Sequence, residues 1–523
     1  MMASIITRIG WKIGGAIVNL ATIGCIDRGK ERNHLMHKTV HDVLWLFAFA
    51  CILCDMAIFQ VLLQEPTMHY GYAQTYNNIV NLSGPVPFAA DSHISISGKN
   101  IYEVWTASLA GESTNGGRNS DIFFSKSVDN GVSFSKPIAL TNYKQGIKQE
   151  PRIAVSGKNM YIIWSDYSLG AAEIYFTKST NNGVTFSMPV ALGTSFGAAG
   201  ETTLSAFGDN VYVLWIGSAN GVTAGAVLFK TSSDGGNTFS NTTSISSNGI
   251  ASKPEMSISG NNVYVVWYNS TLTNSNVTDD QILFTRSTNN GAHFNSPINL
   301  SNNPSSFSSR PQVEASGKNV YVAWLESGPN HTLNIANTYF ARSVDDGATF
   351  STPIRLSNNV AANNYSFNFD TPKIASSNST YDNNVYVPWV YPSPSNSSLP
   401  QKTDMFISRS ANGGASFSSP FKISSGLGLR DATINVSTNP NNNADEVGIM
   451  WSADIGNRTL GYEIFISQSM DNGISFSNPV DESNVIGSSL FPEMIINGSS
   501  MYFTWTEYNY GSYSILFKTV SIS

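Results

Sequence analysis

One eight-residue pattern, repeated seven times, constrains this chain more than any other feature. It reads SVDNGVSF at Ser127–Phe134, STNNGVTF at Ser179–Phe186, SSDGGNTF at Ser232–Phe239, STNNGAHF at Ser287–Phe294, SVDDGATF at Ser343–Phe350, SANGGASF at Ser410–Phe417 and SMDNGISF at Ser469–Phe476. Each copy separates two short apolar runs, such as DIFFSKS and SKPIALT. An Asn-Gly or Asp-Gly pair in that setting marks a hairpin, because glycine takes the positive φ a tight turn requires. A second element precedes each box: an alternating strand, a glycine turn, then a strand ending in tryptophan, as in PRIAVSGKNMYIIW and PQVEASGKNVYVAW. The terminal tryptophans are Trp105, Trp164, Trp215, Trp267, Trp324, Trp389, Trp451 and Trp505, spaced 51 to 65 residues apart. Four short strands per interval predict the blades of a β-propeller, an all-β ring of antiparallel sheets packed around a channel.

Eight tryptophan strands against seven boxes are reconciled by closure. The last unit ends at SILFKTV without a box or outer strand, while NIVNLS at Asn78–Ser83 resembles the outer strand NSPINLS of another unit. An N-terminal strand completing the last blade removes the open edge of the ring. Eight four-stranded blades are expected, with seven or six as the alternatives.

Composition narrows the class further. Only 12% of residues are charged and the net charge is −7, so the chain has no electrostatic footprint for nucleic acid. At 41% hydrophobic and 11% aromatic it has ample material for a core.

The N-terminal region differs from the rest. It holds all three cysteines (Cys25, Cys51, Cys54) and the apolar run Val43–Leu63, long enough to span a bilayer as a helix. Arg8, Lys12, Arg28, Lys30, Arg32 and Lys38 precede this run and no Lys or Arg follows until Lys99, which orients the N-terminus to the cytoplasm and sends the remainder out. Asp55 is costly at mid-membrane and favours either an off-centre span or a cleaved signal read from Met36. The expected organisation is a basic segment at 1–42, a transmembrane or signal helix at 43–63, a linker at 64–76 and the propeller at 77–523. The exported part has no cysteine, hence no disulfide, thiol nucleophile or thiolate metal site. Asn-x-Ser/Thr sites such as Asn241, Asn276, Asn364 and Asn497 fit an exposed, glycosylated surface.

The box Ser-x-Asp-x-Gly-x-Thr-Phe, at one hairpin per unit over residues 77–523, resembles the Asp-box (BNR) repeat of the sialidase superfamily. That resemblance implies a propeller with the boxes between third and fourth strands, on the face away from the functional pocket. The local bonding habits of Asp in turns give Asp129, Asp234, Asp345 and Asp471 a structural role.

Function then belongs to the opposite face. Aligning the inner strands on their turn glycine puts Glu150, Glu201, Lys253, Arg310, Thr371 and Asp431 at equivalent mouth positions, followed inward by Arg152, Thr203, Glu255, Gln312, Lys373 and Glu493. Asp166, Glu326 and Glu507 follow the tryptophan strands and rim the same mouth. The resemblance implies three arginines gripping a substrate carboxylate, a Tyr nucleophile paired with Glu, and an Asp acid/base. The matching candidates are Arg152, Arg310 and Arg430, Tyr508 with Glu507, and Asp166. Arg152-Ile153-Ala154 lacks the proline of the family's first arginine motif.

Histidines His93, His293 and His331 lack ligand spacing, so neither a metal nor a Ser-His-Asp triad is expected, and no cofactor. Two functions remain open: a membrane-held or secreted module binding carbohydrate or a cell-surface protein, with Glu150, Glu201, Lys253, Asp431 and Glu326 in contact, or an exo-acting sialidase-type glycosidase. A purely structural envelope component is the third reading.

Overall fold

The computed structural model describes residues 75–522, less residue 77 and the segments 109–118, 142–145, 169, 171, 195–200, 220–221, 247–248, 273–277, 304–305, 329–335, 358–371, 378–382, 393–402, 440–441, 455–460 and 485–486. The chain divides into two units, Met1–His69 and Tyr70–Ser523. The apolar run Val43–Leu63, its basic flank and the three cysteines lie outside the described residues, as does Thr371.

The second unit is an eight-bladed β-propeller, and among the described residues it contains no helix. Blade 1 takes Phe88–Ser97 innermost, then Asn100–Ser108, Asp121–Ser127 and the short outer Ile138–Ala139, each antiparallel to the last. Blades 2 to 5 repeat this order from Lys148, Thr202, Ile250 and Phe307. Blades 6 and 7 share one strand, Phe421–Thr438, which pairs outermost with Thr403–Ser410 and runs on as the inner partner of Asp445–Asp454.

Blade 8 comprises Ser488–Asn497, Ser500–Asn509 and Ser512–Ser521, and its outer strand is the N-terminal Ile79–Asn81. Ile79, Val80 and Asn81 pair with Lys518, Phe517 and Leu516, the closure expected from NIVNLS. Thr75–Tyr76 adds a further short strand outside it. Val80 and Leu82 join Trp105 of blade 1 and Ile515 and Phe517 of blade 8 in one core cluster, so the seam is sealed by apolar packing.

The alternating tryptophan strands explain the ring. Successive side chains on a strand point to opposite faces, and here both faces are covered by neighbouring blades, so both are apolar. Tyr102 and Val104 pack toward blade 2, whereas Ile101 and Trp105 pack toward blade 8. Trp105 stacks on its cross-strand partner Phe123, Trp164 on Tyr175 and Trp451 on Phe465, each near 6 Å.

The seven boxes connect third to fourth strands. In every one the serine hydroxyl donates to the Asp or Asn Oδ1 (2.6–2.9 Å) and accepts from the glycine N–H (2.8–3.0 Å). The turn thereby satisfies its own polar groups. Six of the box phenylalanines meet a phenylalanine of the preceding blade edge-on at 4.7–4.9 Å, and Phe476 meets Phe421 at 5.9 Å. The boxes are interblade staples, each aromatic contact adding about 0.5–1.5 kcal/mol beyond its buried area.

Candidate functional site

At the channel mouth the inner strands share a device. Pairing with the second strand skips between Ala90 and His93, Gln149 and Arg152, Ser252 and Glu255, Ser309 and Gln312, Arg430 and Thr433, and Leu490 and Glu493. The first extra residue of each bulge takes a left-handed φ: Asp91 55°, Glu150 56°, Lys253 50°, Arg310 53°, Asp431 52° and Phe491 54°. In four of these blades a buried proline follows (Pro151, Pro254, Pro311, Pro492). Proline has no N–H to give a ladder, so it sits where pairing is interrupted. Holding non-glycine residues at positive φ costs on the order of 1 kcal/mol each and is concentrated in proteins at working sites.

Four of these bulges, those of blades 1, 2, 7 and 8, together with Lys373 of blade 6, line a cavity of about 390 Å³. Its charged walls are Asp91, Glu150, Arg152, Lys373, Asp431 and Glu493, and its aromatic wall is Phe491, which is 53% exposed. Asp91 reaches across to blade 2, where its Oδ2 accepts from the Glu150 N–H at 3.3 Å. Burial pushes the Glu150 carboxyl up to about 7, the Asp91 charge pushes the same way, and Arg152 and Lys253 oppose them. Asp91 is itself raised by burial. Deeper in the channel Gln312 Nε2 donates to Glu255 Oε1 at 2.9 Å, and burial raises Glu255 against the opposing charge of Lys373. Burial lowers His93, while Glu493 nearby favours its charged form.

The structure brings three of the candidates, Arg152, Glu150 and Asp431, into the cavity wall. Lys253 and Arg310 occupy the equivalent bulges of blades 4 and 5, and neither lines the cavity. Lys253 makes a 3.8 Å ion pair with Glu201, whose carboxyl is raised by burial; the lysine is more than half exposed, so the pair contributes little. Arg430 precedes the blade 7 bulge, is exposed, and lies 4.9 Å from the Tyr462 ring centroid.

Glu326 and Glu507 are buried at the ends of the tryptophan strands and each accepts from its own blade's indole N–H, Trp324 and Trp505, at 3.3 Å. Glu507 also accepts from Ser489 Oγ at 2.6 Å, and burial lifts it to about 7. Asp166 is buried and accepts from the Ser168 N–H at 2.8 Å. Tyr508 is 40% exposed, with its ring against Tyr513 at 4.8 Å.

Of the charged and aromatic residues of the cavity wall, Asp91 and Phe491 escaped the sequence reading. Both were within its reach: each stands seven residues before the turn glycine of its inner strand (Gly98, Gly498), as Glu150 stands before Gly157.

No known family's profile matches this chain, and no curated protein is similar enough to match. Solved structures do align. An ulvan lyase of a polysaccharide lyase family, bound to -[GlcA(1-4)Rha3S]-, aligns at 9% identity over 76% of this chain and 94% of its own, with a TM-score of 0.44. The leech intramolecular trans-sialidase aligns at 12% over 87% and 70% with a TM-score of 0.34, and the Trypanosoma rangeli sialidase at 11% over 84% and 57%, also at 0.34. The likeness is one of fold alone.

Proposed function

We propose that this chain is an exported, surface-held propeller that binds carbohydrate at the channel mouth. The observation that carries this reading is the composition of the cavity: one exposed aromatic ring, Phe491, beside carboxyls and cations held in place by strained bulges. An apolar face and fixed polar groups converging on one concave site suit a sugar, which presents a C–H face and a rim of hydroxyls. Asp91, Glu150, Asp431 and Glu493 outnumber Arg152 and Lys373, so neutral sugars are favoured over acidic ones. Export is supported by the basic residues that precede Val43–Leu63 and the absence of cysteine after Cys54. The test is a glycan array probed with the full chain and with Phe491→Ala. Array signals lost in the variant support the reading, and signals equal in both remove the cavity from it.

A hydrolytic role is a second reading, favoured by Glu150. A carboxyl that holds its proton near pH 7 beside the carboxyl of Asp91 is equipped as a general acid. Hydrolysis of fluorogenic glycosides, α-sialosides included, is expected to lose its neutral-pH limb in Glu150→Gln. Turnover unchanged in that variant excludes Glu150 as the acid.

A further inference from the structure

We propose that the mouth-side tip of blade 8 is a second sugar-contact surface, so that the ligand is an extended oligosaccharide chain running outward from the cavity along the seam between blades 8 and 1. This rests on the carbohydrate reading above. The second and third strands of blade 8 meet in a two-residue turn, with Tyr508 paired to Tyr513 and Asn509 to Ser512. The turn residues are Tyr510 at φ 45° and Gly511 at φ 92°. Turns of this kind select Asn, Asp or Gly at the first position, because a bulky side chain at positive φ is strained. Here that position holds a tyrosine that is 88% exposed, so burial does not explain it.

The tyrosine does not stand alone. The Tyr508 ring packs against Tyr513 at 4.8 Å between centroids, tilted by 46°, and Tyr513 against Phe88 of blade 1 at 5.6 Å, tilted by 58°. Tyr513 is clamped by two backbone hydrogen bonds to Val86, of 2.7 and 2.9 Å, which fix the platform beneath the tip. Tyr508 projects to the same side of its strand as Thr506, two residues before it, and Tyr510 follows in the turn just beyond the strand's last residue, Asn509. Thr506 pairs with Leu490, next to Phe491 in the cavity wall. At about 3.3 Å of rise per residue, Tyr508 stands roughly 7 Å outward from that level, and Tyr510 lies beyond it at the tip of the turn. Two exposed tyrosines therefore stand beyond Phe491 at the mouth-side end of the same blade, past the reach of one sugar unit. A chain of sugars occupies such a surface by stacking successive C–H faces, with its terminal unit in the cavity.

The test uses the full chain and an array carrying linkage series of neutral oligosaccharides from one unit to six. Wild-type affinity is expected to rise with length. Tyr510→Ala and Tyr508→Ala are expected to lower affinity for the long members about three- to ten-fold while leaving the shortest bound member unchanged. Phe491→Ala lowers binding at every length. Binding that does not increase with length, or length dependence unaltered in both tyrosine variants, overturns the extended-chain proposal and leaves the cavity reading intact. Failure of the folded chain to bind any sugar overturns both. A readout independent of ligand is Tyr510→Asn, expected to raise the melting temperature by relieving the turn; an unchanged or lower one refutes the strain on which the proposal rests.

Discussion

Replacing Glu103 by valine is expected to stabilise this protein, increasingly so as pH rises. Glu103 lies two residues before Trp105 on the second strand of blade 1 and is completely buried. The same position in the other blades holds Ile162, Val213, Val265, Val322, Val387, Ile449 and Phe503. Like Ile101 and Trp105 it faces blade 8, and no hydrogen bond of ordinary geometry reaches either carboxyl oxygen. Burial raises its pKa well above the ordinary 4.5, Glu493 adds to the rise and the Thr504 hydroxyl opposes it.

An unpartnered buried polar group costs about 1–3 kcal/mol, which an apolar side chain of similar volume removes. The pH-dependent part adds to this. Because the folded pKa is raised, the unfolded chain ionises first: above pH 4.5 the wild type loses about 1.4 kcal/mol per pH unit until the folded pKa is passed, and nothing further beyond it. Glu103→Val escapes that loss, so its advantage widens from pH 4.5 upward and then levels. Glu103→Gln keeps the unpartnered polar group and removes only the pH-dependent part. The assay is thermal and chemical denaturation of the three proteins from pH 4 to 8. A valine variant less stable than wild type, or an advantage independent of pH, refutes the reasoning.

Three further outcomes follow from the packing. Gly183→Ala places a Cβ at φ 69°, 2.6 Å from Phe124 Cζ of blade 1, and is expected to cost about 2–4 kcal/mol; Gly157→Ala, at φ 62° with nothing within 4 Å, costs about 1 kcal/mol, and the two melting temperatures compare them. Asp345 is held below the usual carboxylate range by Ser343 and Thr349. Its stabilisation is present above pH 3.8 and lost as pH falls through the lower folded value, so Asp345→Asn, which copies the Asn181 box, is expected to flatten the acid limb of a pH–stability profile. Val80→Asp puts a charge into the sealed seam between blades 8 and 1; a loss of about 3 kcal/mol or more is expected, with concentration-dependent association through the freed strand edge, measured by light scattering.

The sequence by itself determined the architecture because its evidence is local and repeated. A box such as SVDDGATF satisfies its own turn, and a strand such as NVYVAW carries its apolar alternation within six residues, so seven boxes and eight tryptophan strands announce eight blades. The closing strand NIVNLS was legible for the same reason, as a copy of outer strands elsewhere. Counting back from the turn glycine also placed Glu150, Lys253 and Arg310 at equivalent mouth positions.

Only the tertiary structure decided which of those positions share a cavity. Asp91, Glu150, Lys373, Asp431 and Phe491 come from five blades, and their meeting depends on the curvature of a ring closed between residues more than 400 positions apart. The same closure buries Glu103 against Thr504 and Glu493 of blade 8. It also leaves Tyr510 exposed at the tip of a two-residue turn, where a tyrosine is not what the turn selects. Local hydrogen bonding and apolar alternation write the blade into the chain. What the mouth can hold is set by how far the last blade must travel to meet the first, which no stretch of a dozen residues encodes.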